Sequence, residues 1–174
     1  MRPPAHRIDA DAVLVLPTDP AWDHDRITRE LEDLGEDDPH PVRDYLRGRT
    51  RYDLGARVGG ASASDYLTGT PARFKLRRLS ISQRAELEDK LFREAQVHGE
   101  AASYSSLWLQ ACRWGLRDIE GLSGIYLTRS GDQVSEETLR DLFDHYGGLP
   151  AGISQIGIAV WRLSEPLRDD EKKR

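Results

Sequence analysis

Apolar residues along this chain recur mostly three and four positions apart, the spacing of helices that bury one face. The first such run is Trp22, Ile27, Leu31 and Leu34, preceded by Asp19-Pro20 and followed by Gly35. A side-chain acceptor before a proline, with a glycine after the last apolar residue, predicts a helix over 20–34 capped by Asp19. Ser80-Ile81-Ser82-Gln83 has the form of a capping box. It opens a helix in which Ile81, Ala85, Leu91, Phe92 and Ala95 are expected to form one buried stripe, ending near His98-Gly99. A helix over 101–116 would turn Tyr104, Leu107, Trp108, Ala111 and Cys112 inward. Ser135 caps another, carrying Leu139, Leu142, Phe143 and Tyr146 up to Gly147-Gly148. The last starts at Pro150, buries Ile153, Ile156, Gly157, Val160 and Leu163, and finishes at Pro166.

Shorter stretches break this rhythm. Ala12 to Leu16 is a compact strand-type run stopped by Pro17, and Phe74, Leu76 and Arg78 alternate along a second strand. Pro41 to Leu46 reads as a short helix, and Gly55, Gly59 and Gly60 mark a loop with the composition of a mobile one. Residues 118–132 read as loop with hairpin character around Gly124 to Thr128 and Ser130-Gly131-Asp132. The expected fold is mainly α with a small β element, an α+β domain of four to five helices with one or two short strands or a hairpin. The expected organisation is an N-terminal extension or subdomain over 1–73, frayed at 1–11, a helical domain over 74–167 and a charged tail over 168–174.

Composition narrows the function classes. At 174 residues the chain suffices for one ordinary domain with a core. A net charge of −5, with basic residues scattered among acidic ones, argues against a nucleic-acid-binding face. Arginines clustered at 43–51 and 73–78 leave an anion site as the alternative to a solvated surface. The single cysteine, Cys112, cannot form an intrachain disulfide and reads as a buried apolar residue. Apolar runs such as Gly157 to Trp161 are far too short for a bilayer, and the start lacks the apolar stretch of a signal peptide. A cytoplasmic protein without a membrane partner is expected.

Catalytic patterns do not assemble. Gly55 to Ser64 has glycines but no lysine to grip a phosphate, and Gly152 to Gly157 misses the nucleophile-elbow spacing. The five histidines are too dispersed for a zinc site, and Asp23-His24-Asp25 fits a first helical turn better than a metal. No catalytic residue, metal or cofactor is therefore expected. What remains is surface for other proteins. Trp114 lies six residues from Trp108, about 120° around a helix, and Trp161 faces partly away from the Ile153-Ile156-Val160 stripe. Both are candidate partner contacts, because tryptophan joins a large apolar body to one polar handle. Phe143 and Tyr146 complete the candidate partner-binding set.

Phe74, Leu76, Arg77, Leu79 and Ser80 have the form aromatic-x-apolar-Arg-x-Leu-Ser ahead of a helix. The next helix ends in a turn carrying Gly115, Leu116, Glu120 and Gly121, followed by a hairpin-like insert, a Ser-capped helix with Leu139 and Leu142, and Leu149-Pro150 before a last helix. In this order and punctuation, residues 74–167 resemble the tail assembly chaperones of siphophage-like phages and prophages. Ile119 departs from the family's usual aromatic, and residues 1–73 have no counterpart, so the resemblance implies that they are an added partner-binding or self-association segment. The resemblance implies a protein that coats the long tape measure protein and recruits tail tube subunits, without chemistry or cofactor. The alternatives are a structural tail or head-tail connector subunit and a non-phage helical adaptor, with homo-oligomerisation left open.

Overall fold

The computed structural model describes residues 12–147 and 151–165. In chain order the elements are β1 (Val13–Leu14), α1 (His24–Glu32), α2 (Pro41–Leu46), β2 (Arg57–Val58), β3 (Ala61–Ser62) and β4 (Arg73–Leu76). They continue as α3 (Ile81–His98), α4 (Ser105–Gly115), β5 (Leu116–Glu120), β6 (Arg129–Ser130), β7 (Gln133–Val134), α5 (Glu136–His145) and α6 (Ala151–Leu163). The protein is mainly helical with a small β component, as expected. The described residues hold six α-helices and three small antiparallel sheets, more of both than the sequence suggests. The expected fraying of 1–11, the charged tail at 168–174, and the helix start at Pro150 and stop at Pro166 lie outside the described residues.

The largest sheet has the order β1-β4-β5, with Phe74 opposite Leu14 on one side and Ile119 on the other. The boundary expected between 73 and 74 therefore falls inside its middle strand. Val15, Leu16, Trp22, Val42, Tyr45 and Tyr52, from the first part of the chain, join one core with Phe74, Leu76, Leu116, Leu142, Ile156 and Val160. The turn expected at Gly115 to Gly121 is largely β5, a form that suits the β-branched Ile119.

The first helix is shorter than the 20–34 expected. Asp23 caps α1, its Oδ1 accepting from the Arg26 amide at 3.1 Å. Asp19 is instead buried as a tether: Oδ1 accepts from the Ala21 amide at 2.8 Å and Oδ2 from the Ala72 amide at 2.9 Å. Both aspartates carry cap chemistry, and the contact with Ala72, 53 residues away, decides between them. Trp22 bridges to Leu67, and its indole N–H donates to the Leu16 carbonyl at 2.9 Å. The glycine-rich segment expected as a mobile loop forms the β2–β3 hairpin across Gly59-Gly60. The second hairpin, β6–β7, turns at Gly131-Asp132, just beyond the Gly124 to Thr128 segment with β character.

Ser80 and Gln83 form the expected capping box. Gln83 Oε1 accepts from the Ser80 amide at 2.9 Å, and Ser80 Oγ accepts from the Gln83 amide at 3.2 Å. α4 begins at Ser105 because Gly99–Ala101 forms a separate 3-10 turn. α4 and α6 then pack at very short range. A methyl group on Gly157 would sit 2.0 Å from the Trp108 carbonyl oxygen, and one on Gly115 would sit 2.2 Å from Val160 Cγ1.

The C-terminal end of α6 leaves backbone carbonyls without helical partners, and arginines from distant segments supply the donors. Arg51 donates to the Leu163 carbonyl at 2.6 Å, Arg84 to that of Ser164, and Arg78 to that of Glu165 at 3.4 Å. Ser164 Oγ accepts from the Leu79 amide at 2.8 Å and donates to the Val160 carbonyl at 2.7 Å. The arginine clusters at 43–51 and 73–78 thus supply two of these helix-end donors, Arg51 and Arg78.

Candidate interaction surface

The four residues expected to contact partners separate in the fold. Trp114 is 7% exposed and belongs to the core, so it does not present the surface expected of a partner contact. Leu107, Ala111 and Trp114 are four and three residues apart and share the buried face of α4. Trp108 is the half-buried member of the pair, its ring 6.3 Å from that of Trp161 and inclined by 61°. Trp161 is also half-buried, with the Arg84 guanidinium 4.8 Å from its ring centroid. Phe143 is 38% exposed on α5. Tyr146 is half-buried beside His145, facing a hollow that Asp19 also lines. Burial, with a smaller contribution from the Asp19 charge, pushes the Tyr146 phenol up to about 12.

The most exposed apolar side chains lie elsewhere, on α3. This helix spans 18 residues and buries Leu87 alone. Ile81 is 91% exposed, Phe92 61% and Val97 73%. The expected inward stripe of Ile81, Ala85, Leu91, Phe92 and Ala95 is therefore split. Leu87 and Leu91 face the body of the protein, whereas Ile81, Ala85 and Phe92 face outward. At 100° per residue Leu87 and Leu91 sit about 100° from the Ile81–Phe92 line, so the division was present in the spacing. Ion pairs run along the helix, Arg84–Glu88 at 2.9 Å, Glu86–Lys90 at 2.7 Å and Asp89–Arg93 at 2.6 Å, and help support it where packing does not.

The densest polar cluster joins α1 to α2 and to the turn at Ala63–Tyr66. Glu30 Oε2 accepts from the Tyr66 hydroxyl at 2.6 Å and lies 3.2 Å from His40 Nε2, while Oε1 accepts from Arg26 Nε at 2.9 Å. His40 Nδ1 accepts from the Arg43 amide at 3.4 Å as the cap of α2, which places the ring proton on Nε2 facing Glu30. The Arg26 guanidinium lies 4.0 Å from the Tyr66 ring centroid. The donors engaging Glu30 bind neighbouring segments together and leave this carboxylate as a latch. The Tyr66 hydroxyl first, then Arg26 and His40, hold the carboxyl down to about 2.

That depression has a pH signature. An unfolded glutamate titrates at about 4.3. As pH falls, the unfolded chain takes up the proton first, so the stability Glu30 contributes is whole above about pH 5 and lost towards pH 2. In thermal unfolding Glu30→Gln should lie below the unmodified chain at neutral pH, with the gap closing as pH approaches about 2. A gap of constant size across that range would remove the latch.

Among the described residues no group of three or more His, Cys, Asp or Glu is placed to hold a metal ion, and no helix is long and apolar enough to cross a membrane. Asp23 serves as a helix cap, and His24 Nε2 lies 3.0 Å from the Asp19 carbonyl. Cys112 is fully buried, and burial pushes its thiol up to about 12, far from the range of a nucleophile. No protein-family model, curated protein or solved structure matches the chain.

Proposed function

We propose that the chain is a tail-assembly-chaperone-like protein, which binds the tape measure protein and helps recruit tail tube subunits in the cytoplasm of an infected host cell. One observation carries this reading. α3 is long and capped at its start, yet it buries one side chain and keeps Ile81, Phe92 and Val97 in solvent. That is apolar surface beyond what the chain's own core uses, of the kind through which a protein shields a helical client. The order of motifs over 74–167 supports the same reading.

Co-expression tests it. The tape measure protein of the same virus should stay in the soluble fraction with the chain and precipitate without it. The chain should also be absent from purified particles. Its presence there in stoichiometric amount would make it a structural subunit instead, and a tape measure protein indifferent to it would end the proposal.

A further inference from the structure

The outward line of α3 has a spacing that specifies what fits it. Ile81, Ala85, Glu88, Phe92 and Ala95 follow one another at steps of four, three, four and three, the repeat by which one helix seats against another in a coiled coil. Ile81, Ala85, Glu88 and Phe92 are exposed, and Ala95 is half-buried at the edge of the line. Four of the five are apolar. The fifth, Glu88, stands at the centre with its side chain 54% exposed.

That charge discriminates between occupants. A second copy laid in parallel register places Glu88 against Glu88. An antiparallel copy centred on the line does the same, because 88 is the middle position. Like charges facing one another oppose both arrangements. Arg84 is the partner Glu88 has on its own helix, at 2.9 Å, and it is shared. Its guanidinium also donates to the Ser164 carbonyl and stacks against Trp161. The other carboxylates of α3 lie off the line, where Glu86 meets Lys90, Asp89 meets Arg93 and Glu94 lies 3.8 Å from His98.

We infer that the Ile81–Ala95 face of α3 is the docking site for an amphipathic helix of another polypeptide, with apolar residues at alternating three- and four-residue spacing and a lysine or arginine set against Glu88. The inference rests on the client-binding reading and adds to it the face used and the charge the client must carry.

The test uses the full chain and synthetic peptides of roughly 30 residues tiling the tape measure protein, with affinities read by calorimetry. At least one tile with the apolar spacing and a central basic residue should bind. Phe92→Glu should weaken that tile by at least about thirtyfold, and Glu88→Lys by about tenfold. Changing the tile's basic residue to glutamate should restore binding to Glu88→Lys. Glu86→Lys, off the line, should bind as the unmodified chain does. These side chains are solvent-facing, and circular dichroism should confirm that each variant is folded.

A tile that binds all variants alike overturns this docking site and leaves the chaperone reading standing. Failure of every tile to bind the unmodified chain removes both. An unmodified chain that sediments as a dimer, dissociated by Phe92→Glu, assigns the face to a second copy and overturns the inference.

Discussion

Gly157→Ala should lower stability by about 3 kcal/mol or more, at or above the usual upper end for an overpacked core. For a 174-residue chain that is a fall in Tm of about 6–12 °C, readable by circular dichroism. The cause is the closeness of α4 and α6. The added methyl would lie 2.0 Å from the carbonyl oxygen of Trp108 and 2.6 Å from its carbonyl carbon. Those are backbone atoms inside a helix, so no rotamer change relieves the contact, and the helices must separate. Separation would loosen Ile153, Ile156 and Val160 of α6 and Ala111 and Cys112 of α4, all within the core. Gly115→Ala differs in kind, because its methyl would meet the Val160 side chain at 2.2 Å. Val160→Ala should therefore recover part of the loss in Gly115→Ala and none of it in Gly157→Ala, a non-additivity that a double-mutant cycle measures. A Gly157→Ala protein within about 0.5 kcal/mol of the parent would mean that α4 and α6 do not approach this closely.

Features written in adjacent residues were legible in the sequence, and features settled by distant partners were not. The Ser80–Gln83 cap, the Ser135 cap and the inward line Ile153, Ile156, Gly157, Val160 and Leu163 of α6 each depend on residues within a few positions, and each forms as read. On α5, by contrast, Leu139 and Leu142 are buried and Phe143 is exposed. The start of α1 was misread because Asp19 and Asp23 offer the same local chemistry, and Ala72 decides between them. The two-residue strands β2 and β3 carry no pattern of their own and exist through pairing across Gly59-Gly60. The residues expected at the surface differ in burial. Trp161 and Phe143 retain exposure, whereas Trp114 follows Leu107 and Ala111 into the core. The α3 face went unrecognised because an outward apolar line and an inward one have the same period. They differ only in phase, and phase is set by what the helix packs against.

Tyr45→Phe should cost about 2–4 kcal/mol while leaving the shape of the core unchanged. β1 is an edge strand, and its outer side would otherwise present unpaired backbone groups inside the protein. Two tyrosines close it. Val13 N–H donates to the Tyr52 carbonyl at 3.0 Å, while the Tyr45 hydroxyl accepts from the Val15 amide at 2.8 Å and donates to the Val13 carbonyl. Tyr45 and Val15 are both fully buried, so water does not replace the hydroxyl once it is removed. The Tyr45 ring stays packed, 5.9 Å from the ring centroid of Trp22 on one side and 5.9 Å from that of Tyr52 on the other. The loss in Tyr45→Phe therefore reports the two hydrogen bonds rather than a cavity. Tyr126→Phe, at a side chain 77% exposed, should leave the unfolding midpoint unchanged. Amide exchange adds a local readout: Val15 N–H should exchange faster in Tyr45→Phe, while helix amides of α5 follow only the global change in stability. Equal Val15 protection in both proteins would show that something other than the phenol satisfies this amide. In that case the Tyr45 hydroxyl would not be what ties α2 to the outer side of β1.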